Sequence, residues 1–226
     1  MLLLVTDTSG KQGRVALART GERDTDDVAV VEVAPLAGGM FSAQLVPQIA
    51  ALLSRHHLNK ADIGAFIVAS GPGSFTGLRV GLAAIKALAE ILQKPIVPVS
   101  LLAVLALTSA AQGKVAAVLD AGRGHVYFGE YEIVGDSAGV LQEELLSKAE
   151  FLAAAQGSTV VATDSALVAL TQQAGLSVVV VEPPSIEMTA RVGLRKLQAG
   201  ETVSPEQLEA NYMRRSDAEM FVKPSS

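Results

Sequence analysis

Two short turns in the sequence combine an aspartate with small or hydroxylated residues directly after an apolar run. Asp7-Thr8-Ser9 follows Leu2 to Thr6, and Asp120 opens the turn Asp120-Ala-Gly-Arg-Gly124 after a second apolar run. In such a turn the carboxylate can hold a cation, while hydroxyl and main-chain N–H groups face a phosphate. The same residue types also favour an Asx turn, in which the carboxylate accepts hydrogen bonds from its own turn. Two such turns at matching positions in two half-domains would line one cleft, which strengthens the ligand interpretation.

Four glycines lie in the segment Gly71-Pro-Gly-Ser-Phe-Thr-Gly-Leu-Arg-Val-Gly81, between an apolar strand and a long helical pattern. The segment is not a P-loop, because it lacks the Gly-Lys-Ser/Thr ending and the next lysine is Lys86. It could offer N–H groups at a helix N-terminus to an anion, with Arg79 one turn inside the helix. Alternatively, Gly77 and Gly81 form a ridge of small residues that allows close packing. The missing lysine favours packing, and we predict that this ridge binds another protein.

The residue types give little support for a metal site or for a nucleophilic side chain. The chain has no Cys, which excludes thiolate nucleophiles and Cys-based zinc sites. Of the three His, His56 and His57 fall at a predicted helix C-terminus, where a cation meets the last carbonyls, and His125 stands alone on a strand. No Gly-x-Ser-x-Gly elbow occurs, so hydrolysis by a nucleophilic Ser has no basis in the sequence.

The composition favours a folded protein without a nucleic-acid surface of its own. Half of the 226 residues are apolar and 18% are charged, which indicates a sheet that is covered on both faces. The net charge of −5 argues against direct nucleic-acid binding, because phosphate contacts need clustered Lys and Arg. No uncharged apolar run approaches the roughly 18 residues that a membrane span needs. The absence of Cys suits a reducing compartment, and we expect a cytoplasmic protein.

The order of the elements predicts an α/β protein built from two halves of one design. Apolar runs of strand length at 2–6, 14–18 and 28–33 precede helical patterns and further strands. A second set of strands begins at Lys114 and leads, through the turn at Asp120, to alternating helices and strands. We place the boundary near Gln112-Gly113. Residues 1–112 then form an N-terminal lobe with the partner-binding helices, and residues 113–226 form a smaller C-terminal lobe.

Two helical patterns in the first half supply the predicted partner surface. Apolar residues at 41, 45, 49, 52 and 53 predict a helix from 41 to 57, with Ser42 as its N-cap. The pattern from 76 to 92 is apolar on two faces, so it must be covered on two sides. One side can lie on the sheet, and the other needs a second helix or another protein. The predicted interface comprises Leu45, Ile49 and Leu52 on the first helix and Thr76, Gly77, Arg79, Val80, Gly81, Ala84, Lys86 and Leu88 on the second.

Six segments of the sequence, in order, resemble the bacterial TsaB family, also called YeaZ. The resemblance implies the actin-like ATPase (RNase H-like) fold, with two lobes that each contain a mixed sheet flanked by helices. It also implies work in making the threonylcarbamoyladenosine modification of tRNA beside the anticodon. The segments are Leu4-Val-Thr-Asp-Thr-Ser9, Ser42-Ala-Gln-Leu-Val-Pro-Gln-Ile49, the glycine segment 71–81, Pro95-Ile-Val-Pro-Val-Ser100, Leu119-Asp-Ala-Gly-Arg-Gly-His-Val-Tyr127 and Asn211-Tyr-Met-Arg214.

The resemblance also implies a set of partners. The family is regarded as a non-catalytic partner of its larger paralogue TsaD, with the ATPase TsaE joining the assembly and TsaC supplying the activated threonylcarbamoyl group. A heterodimer with TsaD, contact with tRNA only through the complex, and no required cofactor follow from this likeness. In the absence of TsaD we predict a homodimer through the same surface, because a bare apolar helix face would aggregate.

Departures from the pattern of the catalytic paralogue point away from catalysis. Where TsaD carries two His four residues apart that hold a metal, this chain reads Ser100-Leu-Leu-Ala-Val-Leu105. Related ATPases keep a Gly-Gly turn to seat adenosine, and the candidate position here reads Val160-Val-Ala-Thr-Asp164. The residues Asp7, Thr8, Ser9 and Asp120 would then form a vestigial nucleotide cleft, with ATP as its candidate ligand.

Three other functions compete with this interpretation. A nucleotide-dependent transferase or ATPase of the same fold would use the two Asp turns itself. A peptidase, the activity once attached to this superfamily by name, lacks both the His pair and a nucleophile elbow. Direct tRNA binding conflicts with the acidic balance. Phe41 stands where the family pattern has a His, and the sequence alone gives this change no interpretation.

Overall fold

The computed structural model describes residues 1–21 and 27–213. Strands and helices follow one another along these residues much as the apolar periodicity predicts. The strands are β1 (Leu2–Asp7), β2 (Gly13–Thr20), β3 (Val28–Leu36), β4 (Ile63–Gly71), β5 (Ile96–Ser100), β6 (Gly113–Gly122), β7 (His125–Val134), β8 (Ser137–Ser147), β9 (Thr159–Ala162) and β10 (Val178–Val180). The helices are α1 (Phe41–Arg55), α2 (Phe75–Leu92), α3 (Leu101–Thr108), α4 (Lys148–Ala154), α5 (Ser165–Gln173) and α6 (Ile186–Gln198), with a 3-10 turn at Lys60–Asp62.

The described strands form two sheets that share one topology. The first sheet has the order β3-β2-β1-β4-β5, and the second, read in the matching direction, has the order β8-β7-β6-β9-β10. In each sheet the first three strands of the set pair antiparallel, and the remaining two join in parallel. The predicted duplication is therefore confirmed in strand order, and so is an α/β fold with a mixed sheet in each half. No helix among the described residues is long and apolar enough to cross a membrane.

The chain divides into two compact units, and along the described residues it passes between them three times. The first unit contains Met1–Val104 and Pro184–Ala210, whereas the second contains Leu105–Pro183 and takes up the chain again at Asn211. The first crossing falls inside α3, ahead of the hinge predicted at Gln112-Gly113. The linear division at residue 112 also assigns residues 184–210 to the C-terminal lobe. They join the first unit instead, because α6 packs against the strands of the first sheet.

Helices α1 and α2 cover one face of the first sheet. Successive strand residues point to opposite faces, and Leu4 and Phe66 point to the face that α1 and α2 cover. Apolar residues of both helices complete this core, which is why the helical pattern of the sequence is amphipathic. The buried apolar positions are Phe41, Leu45, Ile49, Leu52 and Leu53 on α1 and Leu78, Leu82, Ile85 and Ala89 on α2.

Helix α6 covers the opposite face of the same sheet. Ile67 lies next to Phe66 in β4, so its side chain points away from α1 and α2. Gly193 of α6 lies against it, because a Cβ at Gly193 would stand 2.4 Å from Cγ2 of Ile67. Helix α6 can approach Ile67 this closely only because residue 193 has no side chain. This contact explains why a segment from the end of the chain completes the first unit.

An exposed cluster of charges holds the C-terminal end of α1 to β3. His56 is the C-cap residue of α1 through its main-chain N–H, but its Nε2 lies 2.7 Å from Oε2 of Glu32 and not at the last carbonyls, where the sequence placed the His pair. The guanidinium of Arg55 lies 2.7 Å from Oε1 of the same carboxylate. The hydrogen bond from Arg55, followed by that from His56, lowers the pKa of Glu32 below its usual value. Solvent screens such pairs, so the cluster orients the helix end more than it stabilises the fold.

Two local predictions need correction or fall partly outside the description. Helix α1 begins at Phe41 with Met40 in the N-cap position, and not at Ser42. The main-chain carbonyl of Met40 accepts the first helical hydrogen bonds, and the side chain of Gln44 reaches back to the N–H of Ala37. Residues 205–219 were predicted to form a helix or an extended arm. Their described part, up to Met213, contains no helix, and the rest lies outside the described residues.

Replacing Gly193 with Leu should destabilise the protein, because the buried position lacks space for even a Cβ. We expect the free energy of unfolding to fall by about 1–3 kcal/mol, the usual cost of overpacking a core. Urea unfolding measures this change. Gly139→Leu is the matched control, because a Cβ at this exposed residue would have its nearest neighbour at 3.6 Å. Equal unfolding midpoints for the two variants would contradict the packing of α6 on Ile67.

Candidate functional site

The first Asp turn closes on itself. The side chain of Asp7, at the end of β1, accepts hydrogen bonds on Oδ1 from the main-chain N–H of Ser9 at 2.9 Å and from its hydroxyl at 2.6 Å. This is the Asx turn that the residue types favour. Thr8 and Ser9 are 3% and 8% exposed, so their hydroxyls lie inside the first unit and not at its surface. Oδ1 of Asp7 is thus occupied by hydrogen bonds within the turn, and Thr8 and Ser9 are buried in the first unit.

The glycine segment packs directly against this turn. The N–H of Ser74 donates to the main-chain oxygen of Ser9 at 2.7 Å. A Cβ at Gly77 would stand 2.1 Å from the main-chain oxygen of Thr8, and a Cβ at Gly81 would stand 2.2 Å from its hydroxyl oxygen. Side chains at these two positions are therefore excluded by contact with Thr8. The prediction that Gly77 and Gly81 serve close packing holds, but the surface that they pack on belongs to the same chain.

The N-terminus of α2 is capped by its own residues. Ser74 is the N-cap, and its hydroxyl accepts a hydrogen bond from the N–H of Gly77 at 3.2 Å. Its carbonyl accepts the N–H of Leu78 at 2.9 Å. The guanidinium of Arg79 lies 3.8 Å from the centre of the Phe75 ring, a cation–π geometry. These groups use N–H donors that an anion would need, which favours packing over phosphate binding at this helix end.

Five residues of the predicted interface have no free surface. Leu45, Ile49 and Leu52 are 1%, 5% and 0% exposed, and they belong to the core between α1, α2 and the sheet. Gly77 and Gly81 are buried against Thr8, as described above. An apolar stripe on a helix usually packs on the sheet of its own chain. The spacing of apolar residues does not distinguish such a stripe from one that binds another protein. The other predicted residues stay accessible: Thr76 and Arg79 are exposed, and Val80, Ala84, Lys86 and Leu88 are half-buried.

Other residues of the two helices, which the predicted interface does not include, face outward. Helices α1 and α2 pack beside each other, and their outer sides carry Val46, Ala83, Ala87 and Ile91. We call these four residues the α1–α2 face. Val46 is 50% exposed and Ile91 is 71% exposed, and the exposed Ala83 and Ala87 are small enough to let another surface approach the backbone of α2 closely. The signal was present in the sequence, because 83, 87 and 91 recur at a helical spacing offset from the buried positions.

Phe41, which the sequence left without an interpretation, fills the space beside the first turn. Its ring is 7% exposed at the start of α1. A Cβ at Gly13 would stand 3.0 Å from the ring, and one at Gly77 would stand 3.2 Å from it. The ring therefore lies between the beginning of β2 and the first turn of α2. An aromatic residue at this position acts as a core side chain that joins α1 to both elements.

The second Asp turn has a different geometry. Asp120 is exposed and lies within β6, where it pairs with Val126 of β7. The hairpin tip is Arg123-Gly124, whose φ angles of 54° and 80° match the turn that two-residue hairpins favour. Nδ1 of His125 lies 3.1 Å from the main-chain oxygen of Arg123. Asp7 lies in the first unit and Asp120 in the second, and a nucleotide shared by the two turns stays a prediction.

The segment 100–105, where the resemblance implies a missing His pair, is apolar and becomes helical at Leu101. Helix α3 begins directly after Ser100, and its residues Leu101, Leu102 and Val104 are buried. Among the described residues, no group of three or more His, Asp or Glu side chains is placed so that it could hold a metal ion.

A double-mutant comparison tests the packing of α2 on the turn Asp7-Thr8-Ser9. Gly81→Ala should lower the free energy of unfolding by about 1–3 kcal/mol, because its Cβ meets the hydroxyl of Thr8. In a Thr8→Ala background this hydroxyl is absent, so the cost of Gly81→Ala should shrink by about 1 kcal/mol. Gly77→Ala is the control, because its Cβ meets a main-chain oxygen that Thr8→Ala leaves in place. Rescue of both variants, or of neither, would contradict the contact described here.

Comparison with known proteins adds family information to this geometry. The family model for TsaD, tRNA N6-adenosine threonylcarbamoyltransferase, matches residues 34–183. The protein TsaB of Bacillus subtilis, named for tRNA threonylcarbamoyladenosine biosynthesis, is 34% identical over 133 residues, which are 58% of this chain and 56% of the relative. The Escherichia coli protein of the same name is 30% identical over 135 residues, 58% of this chain and 55% of the relative. The chain thus matches about half the length of these curated relatives.

Two solved structures match nearly the whole chain. One is a Pseudomonas aeruginosa protein described as similar to the peptidase YeaZ, with a TM-score of 0.74 and 27% identity over 94% of this chain and 99% of that one. The other is YeaZ from Pseudomonas aeruginosa, with a TM-score of 0.74 and 25% identity over 93% of this chain and 99% of that one. The predicted actin-like fold is thereby confirmed. The chain belongs to the TsaD family and, within it, to the bacterial TsaB (YeaZ) group.

Proposed function

We propose that this chain takes part in making threonylcarbamoyladenosine in tRNA as a non-catalytic subunit that binds a TsaD protein. The names of its relatives support the pathway. The observation that carries the subunit role is the α1–α2 face, a set of four exposed apolar residues on two neighbouring helices, on a fold in which Oδ1 of Asp7 is used within its own turn and Thr8 and Ser9 are buried. In the proposed assembly TsaE joins the pair, and tRNA is contacted only through the complex.

The composition of the α1–α2 face supports a protein partner. A single exposed apolar side chain needs no explanation, but α2 exposes Ala83, Ala87 and Ile91 at a spacing of four residues, and the neighbouring α1 exposes Val46. Arg79 and Glu90 are exposed beside them and provide a polar edge. An apolar centre with a polar rim is the usual arrangement of protein interfaces. Because a TsaD protein belongs to the same family as this chain, we propose that it presents equivalent helices to this face.

We propose that the same surface forms a homodimer when TsaD is absent. A two-fold dimer places identical patches against each other, and α1 and α2 of two copies would form such a patch. TsaD would then compete with the second copy for the face. The proposal requires no cofactor on this chain. ATP stays the candidate ligand for Asp7, Thr8, Ser9 and Asp120, and a nucleotide-dependent enzyme is the alternative that such binding would favour.

Ala83→Arg should weaken both the homodimer and the complex with TsaD by at least about 10-fold, because a long charged side chain then replaces a small residue of the apolar face. Size-exclusion chromatography with light scattering and titration calorimetry measure the two interactions. Ala153→Arg is the matched control, because Ala153 is an exposed alanine on α4 in the second unit. Gly81 is less suitable, since its substitution disturbs the chain's own contact with Thr8. Unchanged affinity for Ala83→Arg would refute this interface.

Titration calorimetry with ATP and Mg²⁺ on the isolated chain tests the alternative. A scaffold role predicts that TsaD binding does not depend on nucleotide bound to this chain. Saturable ATP binding that Asp120→Ala abolishes, together with turnover by the isolated chain, would favour an enzyme instead. Asp120→Ala is informative because the exposed carboxylate can be removed without leaving a buried group unpaired.

A further inference from the structure

The outer side of α2 carries two charged residues beside the alanines of the α1–α2 face. Arg79, Ala83, Ala87 and Glu90 are all exposed, and they lie within one helix. They follow one another at spacings of four, four and three residues, so they share one side of α2. We call these four residues the α2 stripe. Its middle is small and apolar, and its two ends carry opposite charges.

The charges of the α2 stripe do not suit the dipole of their own helix. Helix α2 runs from Phe75 to Leu92, so Glu90 lies in the last turn and Arg79 lies one turn inside the N-terminal end. A helix C-terminus favours a cation, and a helix N-terminus favours an anion. The two charged residues are also about 16 Å apart along the helix axis, which is too far for them to pair with each other. Stabilisation of α2 itself therefore does not explain their placement.

The α2 stripe is complementary to itself when two copies run antiparallel. The midpoint between its two alanines lies six residues after Arg79 and five residues before Glu90. When the midpoints of two copies meet, Arg79 of one copy lies within about 1.5 Å, measured along the helix axis, of Glu90 of the other. A parallel arrangement would instead place Arg79 against Arg79 and Glu90 against Glu90. The antiparallel arrangement is therefore favoured, because opposite charges meet in it.

We propose that two copies of this chain pack α2 against α2 in antiparallel orientation. The alanines of the two stripes then lie on each other, and two ion pairs form between Arg79 and Glu90 of opposite copies. This register rests on the α1–α2 face of the proposed function, and it adds how two such faces meet. The second helix also presents its C-terminus to Arg79 and its N-terminus to Glu90, which is the combination that the helix dipole favours.

Two properties of the charged side chains fit these pairs. The guanidinium of Arg79 lies 3.8 Å from the centre of the Phe75 ring. A stacked guanidinium donates through its edge, so this contact is compatible with a carboxylate from the second copy. Ion pairs at the rim of an interface add little affinity, but they select orientation and partner. The alanines thus allow the helices to approach, and the charges fix the register.

Complementary charge reversals test the antiparallel register. Arg79→Glu creates two like-charge contacts in its homodimer, and so does Glu90→Arg, so each variant alone should dimerise at least about 10-fold more weakly than the wild type. A mixture of the two variants re-forms both ion pairs across the interface, and its mixed dimer should bind within about 3-fold of the wild-type affinity. Both reversals suit the dipole of α2, so neither should disturb the fold. Sedimentation velocity with a fluorescent label on one variant measures the mixed dimer.

Arg191→Glu is the matched control for net charge, because Arg191 is an exposed residue of α6, on the opposite face of the first sheet. Its homodimer should match the wild type, and its mixture with Glu90→Arg keeps one like-charge contact, so this mixed dimer should stay weaker than that of Arg79→Glu with Glu90→Arg.

The variant Ala83→Arg separates a failure of this register from a failure of the proposed face. If Ala83→Arg loses the homodimer but the mixture of charge reversals shows no recovery, the face stands and the antiparallel register is overturned. Equal recovery with Arg191→Glu in place of Arg79→Glu would overturn the register as well, because net charge and not position would then explain it. A wild-type chain that stays monomeric would overturn the pairing of two copies.

Discussion

The close approach of α2 to the turn after β1 is the constraint on which the rest of the first unit depends. Gly77 and Gly81 allow this approach, because a Cβ at either position would overlap Thr8. The contact fixes which side of α2 faces the sheet and which side faces outward. It also buries Thr8 and Ser9, and it leaves the hydroxyl of Ser74 to cap the helix. Main-chain and hydroxyl groups of the kind that cradle a phosphate are thereby used in packing.

The orientation of α2 has a direct consequence for function. Gly77 and Gly81, one turn apart on α2, both pack on Thr8. In this orientation residues 83, 87 and 91 do not cover the sheet and lie at the surface. Helix α1 packs beside α2, positioned at its start by Phe41 and at its end by the contacts of Arg55 and His56 with Glu32. A fold related to nucleotide-dependent enzymes thus offers an accessible pair of helices. This arrangement supports the partner role that we propose.

The sequence predicted the local elements well, because apolar periodicity records which residues face a core. The two sets of strands, the duplication and the helix after the glycine segment all follow from spacing and turn chemistry. The spacing of apolar residues did not indicate which of the two apolar stripes of α2 faces the sheet and which faces outward. Gly77 and Gly81 indicated close packing, but nothing local to them indicates that their partner is Thr8 of the same chain, about 70 residues earlier.

Other contacts that the sequence did not predict also join residues far apart in the chain. The return of α6 to the first sheet depends on Gly193 meeting Ile67, and the role of Phe41 depends on its position between Gly13 and Gly77. Each is a contact between residues far apart in the chain, where a glycine marks the place but does not name its neighbour. Asp7 showed the opposite case. Its Asx turn is local, and the residue types alone included the correct geometry among the alternatives.

The most direct measurement is the rate of threonylcarbamoyladenosine formation in unmodified tRNA by TsaD and TsaE, with the activated threonylcarbamoyl group supplied by TsaC. The reaction is run with wild-type chain, without it, and with the Ala83→Arg or Ala153→Arg variant. A non-catalytic subunit that works through the α1–α2 face predicts modification with the wild-type and Ala153→Arg chains, and little without the chain or with Ala83→Arg. Equal rates with and without this chain would contradict the proposed role.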